Sequence, residues 1–185
     1  EIYTLRHSFP TRRSSDLFCI AAHCAIGQKR KYTGEDYYRH SIEVAELIQA
    51  HAADYTEEML IAAHLHDVVE DTKVELSIIA RQFGSVVAGY VEQLTDVSRP
   101  EDGNRASRKV IDLEHTALAC PNAQTIKLAD LISNTRSIVA RDPVFAVTYL
   151  AEKRLLLNVL KDGDPTLYQI RSEEHTSELQ SPIRS

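Results

Sequence analysis

Four residues near the middle of the chain have the types and spacing of a metal-dependent catalytic site. His66 and Asp67 are adjacent, and Glu70 and Asp71 follow one helical turn later. Residues three or four apart on a helix share a face, so Glu70 would lie over His66 and Asp67. Carboxylates crowded beside an imidazole repel one another unless a cation lies among them. The spacing therefore predicts a metal site, whereas the alternative is a solvated acidic helix end.

Two further residues could contribute ligands from other parts of the chain. Asp130 stands among apolar residues of a helical segment, where an unpaired buried carboxylate would be strongly unfavourable. It needs a metal ion or a basic partner, and Lys127 and Asn134 lie within one turn of it. His40 falls in the first turn of another predicted helix, where a lone histidine is more often a cap or a surface residue than a ligand.

A basic loop comes shortly before His40. Lys29, Arg30 and Lys31 are consecutive, and tyrosines occur at positions 32, 37 and 38. Cations beside aromatic faces can hold a phosphate and stack a base, so the loop is a candidate nucleotide-binding segment. The alternative is an ordinary solvated turn.

The elements that must position these groups are helices, because apolar residues recur with a period near 3.6 through most of the chain. No segment alternates like a strand over more than a few residues. The sequence predicts an all-α, single-domain bundle of seven or eight helices. Their predicted ranges are 18–27, 38–53, 57–72, 74–83, 86–94, 104–118, 123–139 and 143–160. His66 and Asp67 would lie in the last turns of one continuous helix over 57–72.

Composition narrows the classes of function. The chain has 185 residues and a net charge of −6, which argues against a general nucleic-acid-binding protein. Its apolar runs are shorter than a membrane span requires, and its beginning has no signal-peptide pattern. Three cysteines without metal-knuckle spacing argue against a disulfide framework and favour a reducing, cytoplasmic compartment.

The two ends of the chain look foreign to the rest. Residues 7–17 (HSFPTRRSSDL) and 171–182 (RSEEHTSELQSP) resemble translated sequencing-library adaptor DNA. We therefore expect non-native tails over residues 1–17 and 171–185, and a native domain over 18–170. Both tails lack apolar periodicity, so we expect them to be without regular structure.

The pattern H…HD…D, formed by His40, His66-Asp67 and Asp130, resembles the HD superfamily of metal-dependent phosphohydrolases. The stretch from His66 to Thr72 is similar to the HDxxEDT motif of RelA/SpoT-type hydrolase domains and their stand-alone relatives. The segment 127–130 (KLAD), followed by Asn134, extends this similarity. The chain is thus expected to form an HD-type helical bundle.

The resemblance implies a role for each group of site residues. The metal ligands would be His40, His66, Asp67 and Asp130, and the usual ion in the family is manganese. The catalytic pair that positions or deprotonates the attacking water would be Glu70 and Asp71. The residues that bind the nucleotide and its phosphates would be Lys29, Arg30, Lys31, Asn134 and Arg136.

The reaction implied is hydrolysis of the 3′-diphosphate of guanosine tetra- or pentaphosphate, which gives GDP or GTP and pyrophosphate. The expected partner is thus a phosphorylated guanosine nucleotide, with no nucleic acid and no membrane. Two alternatives stay open at this point. Another HD phosphohydrolase would release orthophosphate from a different nucleotide, and a non-catalytic sensor would bind a nucleotide without turnover.

Overall fold

The computed structural model describes residues 11–180, with side chains for residues 11–173. Within this part of the chain there is no strand, and one isolated antiparallel bridge joins Lys29 and Asp36. The predicted all-α class is confirmed. The helices are α1 (Arg12–Ala25), α2 (Tyr38–His51), α3 (Glu57–Leu65), α4 (Val68–Asp71), α5 (Leu76–Phe83), α6 (Ser85–Leu94), α7 (Arg105–Thr116), α8 (Pro121–Arg141), α9 (Pro143–Val159) and α10 (Pro165–Gln180), with a 3-10 turn at Pro100–Asp102.

Helix α3 lies at the centre of the bundle. Every residue from Met59 to Leu65 is buried, because this helix is apolar nearly all round and must be covered on all sides. The neighbours that cover it are α1, α2, α6 and α8. Helix α8 packs along α2 and is buried over most of its length. The candidate ligands therefore lie on, or next to, the most enclosed helices of the fold.

Three helices begin at a polar residue whose side chain caps the first turn. The side chains of Thr56, Asn104 and Asp142 accept hydrogen bonds from backbone N–H groups three residues further on. Each bond satisfies a donor that the first turn of a helix leaves without an intrahelical partner.

The predicted continuous helix over 57–72 is wrong, because the chain breaks at His66 and Asp67 between α3 and α4. The His66 side chain explains the break. Its Nδ1 donates a hydrogen bond to the carbonyl oxygen of Ala63 at 2.8 Å. In an unbroken helix that oxygen would accept from the N–H of Asp67, so the imidazole competes with the helical bond.

The structure contains ten α-helices over residues 11–180, where seven or eight were predicted. The expected lack of regular structure is wrong for residues 12–17 and 171–180, which are helical. Ser15 is buried and its Oγ lies 2.9 Å from Nδ1 of His64, and Arg171 is also buried. The foreign origin of the tails and the domain boundaries stay predictions, and residues 1–10 and 181–185 lie outside the described residues.

Among residues 11–180 no helix combines the length and hydropathy needed to cross a membrane.

Gly163 lies where the turn between α9 and α10 meets α8. A Cβ at this position would lie 2.8 Å from Cδ1 of Leu128 and 3.2 Å from the backbone carbon of Gln124. Since backbone in a buried helix cannot move aside cheaply, we expect Gly163→Ala to lower the free energy of unfolding by about 1–3 kcal/mol, measured by urea denaturation.

The matched control is Gly89→Ala in α6, where an added Cβ meets no atom within 4 Å. That variant should be neutral or more stable by about 0.5–1 kcal/mol, because alanine favours helix over glycine. Equal free energies of unfolding for the two variants would show that the close approach of Gly163 to α8 does not limit the residue at this position.

Candidate functional site

The four predicted metal ligands converge although they come from distant parts of the chain. His40 on α2 and His66 and Asp67 at the α3–α4 break offer ligand atoms that lie within 4.8 Å of one another. The Nε2 atom of His66 is 3.0 Å from Oδ2 of Asp67. Asp130 on α8 places Oδ1 at 3.2 Å from Nε2 of His40 and 3.9 Å from Nε2 of His66.

The two histidines are oriented as ligands. Their Nε2 atoms are buried and have no hydrogen-bond partner among the residues that the structure describes. For His66 the Nδ1 atom must carry the proton, because the Ala63 carbonyl can only accept. In the neutral imidazole the Nε2 lone pair thus faces Asp67 and Asp130. Two buried imidazole nitrogens without hydrogen bonds, next to two carboxylates, fit a divalent metal ion.

The charged side chains of the cluster shift one another's pKa values. Burial raises the pKa of Asp67, but His66 and His40 outweigh it and hold that pKa well below its usual range. Burial likewise opposes ionisation of Asp130, and Lys127, whose Nζ is 3.0 Å from its Oδ2, keeps its pKa low. Burial alone would lower the pKa of His66, but Asp67 and Asp130 raise it to about 9.

Metal affinity should therefore depend on pH. With its pKa raised to about 9, His66 of the metal-free protein is protonated at neutral pH, and a cation must displace that proton. We expect the affinity for a divalent ion to rise by up to about tenfold per pH unit between about pH 6 and pH 9, measured by calorimetric titration. The surface variant His51→Gln should show the same slope, and a flat profile would exclude His66 as a ligand.

The predicted catalytic carboxylates point in different directions. Oε2 of Glu70 accepts a hydrogen bond from the backbone N–H of Asp96 at 3.1 Å. Burial, together with the charges of Asp96 and Asp67, raises the pKa of Glu70 to about 7. Asp71 instead accepts a hydrogen bond from Nε2 of Gln28 at 2.8 Å. Glu70 lines the cavity beside the predicted metal ligands, whereas Asp71 lies outside the lining.

This cavity has a volume of about 430 Å³ and opens next to Asp67 and Asp130. Helices α4, α7, α8 and α9 form its walls, and Tyr37, whose hydroxyl donates to Oδ2 of Asp67 at 2.6 Å, closes one side. One wall is apolar: Ala106, Val110, Leu113, Leu155 and Leu156. The cationic side chains that line the cavity are Lys109, Lys127 and Lys153. The cavity thus combines an apolar wall with three lysines and six carboxylates. Two of these lysines are paired with carboxylates of the lining, Lys109 with Asp96 and Lys127 with Asp130.

Asn134 is the predicted substrate-binding residue that lines the cavity, and its Nδ2 donates to Oδ1 of Asp130 at 2.6 Å. The other four lie outside the lining. Lys29 pairs with Asp36 and Arg30 pairs with Glu43. Lys31 lies over the rings of Tyr32 and Phe145, and Arg136 is exposed on α8. Contact of these residues with substrate stays a prediction.

Sequence reasoning missed Lys109 and Lys153. Lys109 donates to Oδ2 of Asp96 at 2.8 Å, and burial together with Lys127 lowers the pKa of Lys153 to about 8. Neither residue belongs to a local motif. They meet because α7 packs against α9, and the periodicity of a single helix does not reveal that contact.

Comparison with known proteins places the chain in a family. The model of the HD domain matches residues 18–155. The guanosine-3′,5′-bis(diphosphate) 3′-pyrophosphohydrolase MESH1 of Drosophila melanogaster is 33% identical over 137 residues, which cover 74% of this chain and 75% of the fly protein. A probable guanosine-3′,5′-bis(diphosphate) 3′-pyrophosphohydrolase of Synechocystis is 33% identical over 68% of this chain, although the match spans 17% of that longer protein.

Solved structures share the fold. A metazoan ortholog of SpoT, described as hydrolysing ppGpp and acting in starvation responses, superposes with a TM-score of 0.80 at 26% identity. The match covers 92% of this chain and 97% of that one. A protein of Listeria monocytogenes has a TM-score of 0.66 at 22% identity, which supports the fold alone. With its family model matched over residues 18–155, the chain belongs to the HD domain family, and its resemblance to the RelA/SpoT-type members is confirmed.

Proposed function

We propose that this chain hydrolyses the 3′-diphosphate of guanosine 3′,5′-bis(diphosphate) or its pentaphosphate analogue, giving GDP or GTP and pyrophosphate. The observation that carries this proposal is the convergence of His40, His66, Asp67 and Asp130 at one end of a cavity that also holds Glu70 and three lysines. The fly and Synechocystis relatives bear the name of this activity, which supports the same assignment.

The residues of the chain would divide the work of the reaction. A divalent cation, when bound, lowers the pKa of water and offsets charge on phosphoryl oxygens. Glu70, held by the N–H of Asp96, would accept the proton from the attacking water. The lysines of the cavity would neutralise the phosphates, and the wall built from α7 and α9 would cover the base. Manganese is the ion we propose, because it accepts mixed imidazole and carboxylate ligands.

We also propose that the enzyme works in the cytoplasm. Cys19, Cys24 and Cys120 are all free thiols in the structure, as is usual for proteins of reducing compartments.

The test of the function is product analysis. The protein is incubated with Mn²⁺ and guanosine tetraphosphate, with a chelator-treated sample as control, and the released phosphate is identified. Pyrophosphate together with GDP is the expected result. Orthophosphate would instead indicate an HD phosphohydrolase of another specificity, and tight binding without turnover would indicate a nucleotide sensor.

Lys153→Met should weaken substrate binding more than it slows chemistry. Because its pKa is about 8, Lys153 is largely charged at neutral pH and can pair with a phosphate. Loss of a hydrogen bond to a charged group costs about 1.5–3 kcal/mol, so we expect KM to rise at least tenfold with kcat nearly unchanged. Lys161→Met, at an exposed lysine after α9, is the matched control, and an unaltered KM for Lys153→Met would remove this residue from the binding site.

A further inference from the structure

A second layer of polar residues lies one turn along from the metal ligands on α2 and α8. Glu43 follows His40 by three residues on α2, and Ser133 follows Asp130 by three residues on α8. Residues at this spacing share a helix face. Since α2 and α8 pack against each other, His40 meets Asp130 at one turn of the two helices, and Glu43 meets Ser133 at the next turn.

The hydrogen bonds of this layer fix the proton on His40. Oγ of Ser133 donates to Oε2 of Glu43 at 2.7 Å and lies 2.9 Å from Nδ1 of His40. A carboxylate can only accept, so the single hydroxyl proton of Ser133 is used in the bond to Glu43. Nδ1 of His40 must therefore be the donor to Ser133. The neutral imidazole then carries no proton on Nε2, which is the atom that faces Asp67 and Asp130.

Arg30 completes the layer from the basic loop. Its guanidinium lies 3.0 Å from Oε2 of Glu43 and 3.5 Å from Oγ of Ser133, and 10% of its side chain is exposed. The ion pair with Arg30 favours the ionised carboxylate of Glu43, which can accept the hydrogen bond that Ser133 donates. This buried position, outside the lining of the cavity, suits support of the metal site better than direct contact with substrate.

We propose that Arg30, Glu43 and Ser133 are positioning residues that hold His40 in its Nδ1–H tautomer and aim its Nε2 at the metal ion. The proposal rests on the metal site of the proposed function but not on the identity of the substrate. Groups that bond the second nitrogen of a ligating histidine commonly change metal affinity by about 10- to 100-fold.

The first experiment compares metal affinity in two serine variants of the full chain. Ser133→Ala removes the acceptor for Nδ1 of His40, and Ser41→Ala removes an equally buried hydroxyl that takes no part in the layer. Titration with Mn²⁺ alone should show at least about tenfold weaker binding for Ser133→Ala and no change for Ser41→Ala. Equal affinities for Ser133→Ala and the parent would overturn the proposal.

The second experiment needs no variant and stays informative if Ser133→Ala fails to fold. In ¹⁵N-labelled parent protein, NMR correlations at alkaline pH should assign the His40 proton to Nδ1, and assignment to Nε2 would overturn the proposal. Both measurements are independent of turnover. A protein that binds metal through a positioned His40 but does not release pyrophosphate would therefore refute the proposed function alone.

Discussion

Asp67→Asn should lower kcat/KM by about three orders of magnitude or more. Asp67 lies between both histidines and accepts a hydrogen bond from Tyr37. The substitution preserves size and an acceptor oxygen but removes the negative charge that a cation would meet. Metal ions supply several kcal/mol of charge stabilisation in such reactions, and each 1.36 kcal/mol corresponds to tenfold in rate. The measurement is the rate of pyrophosphate release over a range of substrate concentrations that extends well below KM, at graded metal concentrations.

The control for Asp67→Asn is Asp54→Asn, the same change at an exposed position before α3. It should retain parent activity and metal affinity. If Asp67→Asn kept kcat/KM within tenfold of the parent at every metal concentration, the convergence of ligands would have no catalytic role.

Glu70→Gln should lower kcat by about 10²- to 10⁴-fold with little change in metal affinity, because it removes the proposed general base but no ligand. The amide oxygen of glutamine can still accept the hydrogen bond from Asp96, so the position of the side chain should persist. Steady-state kinetics and metal titration together separate the two effects. Glu58→Gln, in the exposed first turn of α3, is the surface control.

The pH profile gives an independent check on Glu70. Burial and the carboxylates of Asp96 and Asp67 raise its pKa to about 7. A base works only when deprotonated, so kcat/KM should fall as pH drops below this pKa, and a bound cation would move the fall to lower pH. At metal concentrations that saturate the site throughout the pH range, Glu70→Gln should flatten this limb. Asp71→Asn, which alters the carboxylate turned toward Gln28, should retain it, whereas the reverse pattern would make Asp71 the base.

The sequence indicated which polar groups would converge, although the role of these groups as metal ligands stays a prediction. His66, Asp67 and Asp130 lie in segments with strong local signals, whereas His40 was included only through the resemblance to the HD superfamily. The HDxxEDT stretch, the buried Asp130 and the caps of α3, α7 and α9 all depend on residues within a few positions of one another. The break between α3 and α4 could not be predicted in this way. It depends on the rotamer of His66, in which the ring donates a hydrogen bond to the carbonyl oxygen of Ala63. The periodicity of apolar residues does not indicate which rotamer a side chain adopts.

The residues that line the cavity were harder to predict, since their positions depend on how helices pack. Three consecutive cations in the basic loop suggested a phosphate site, but the structure turns Arg30 toward Glu43 and Ser133. Lys109 and Lys153 enter the cavity because α7 and α9 face each other. A cation in an amphipathic helix resembles any solvated surface charge until the neighbouring helix is known.

The ligands come from α2, the α3–α4 break and α8, which lie far apart along the chain. An unfolded chain cannot hold these groups together, so a cation that binds them binds the folded state in preference to the unfolded state and stabilises it. When the concentration of free cation is 100 times its dissociation constant, this binding raises the free energy of unfolding by about 2.7 kcal/mol. Depletion of such an ion would remove this contribution, so the free energy of unfolding should fall as the concentration of free metal is lowered.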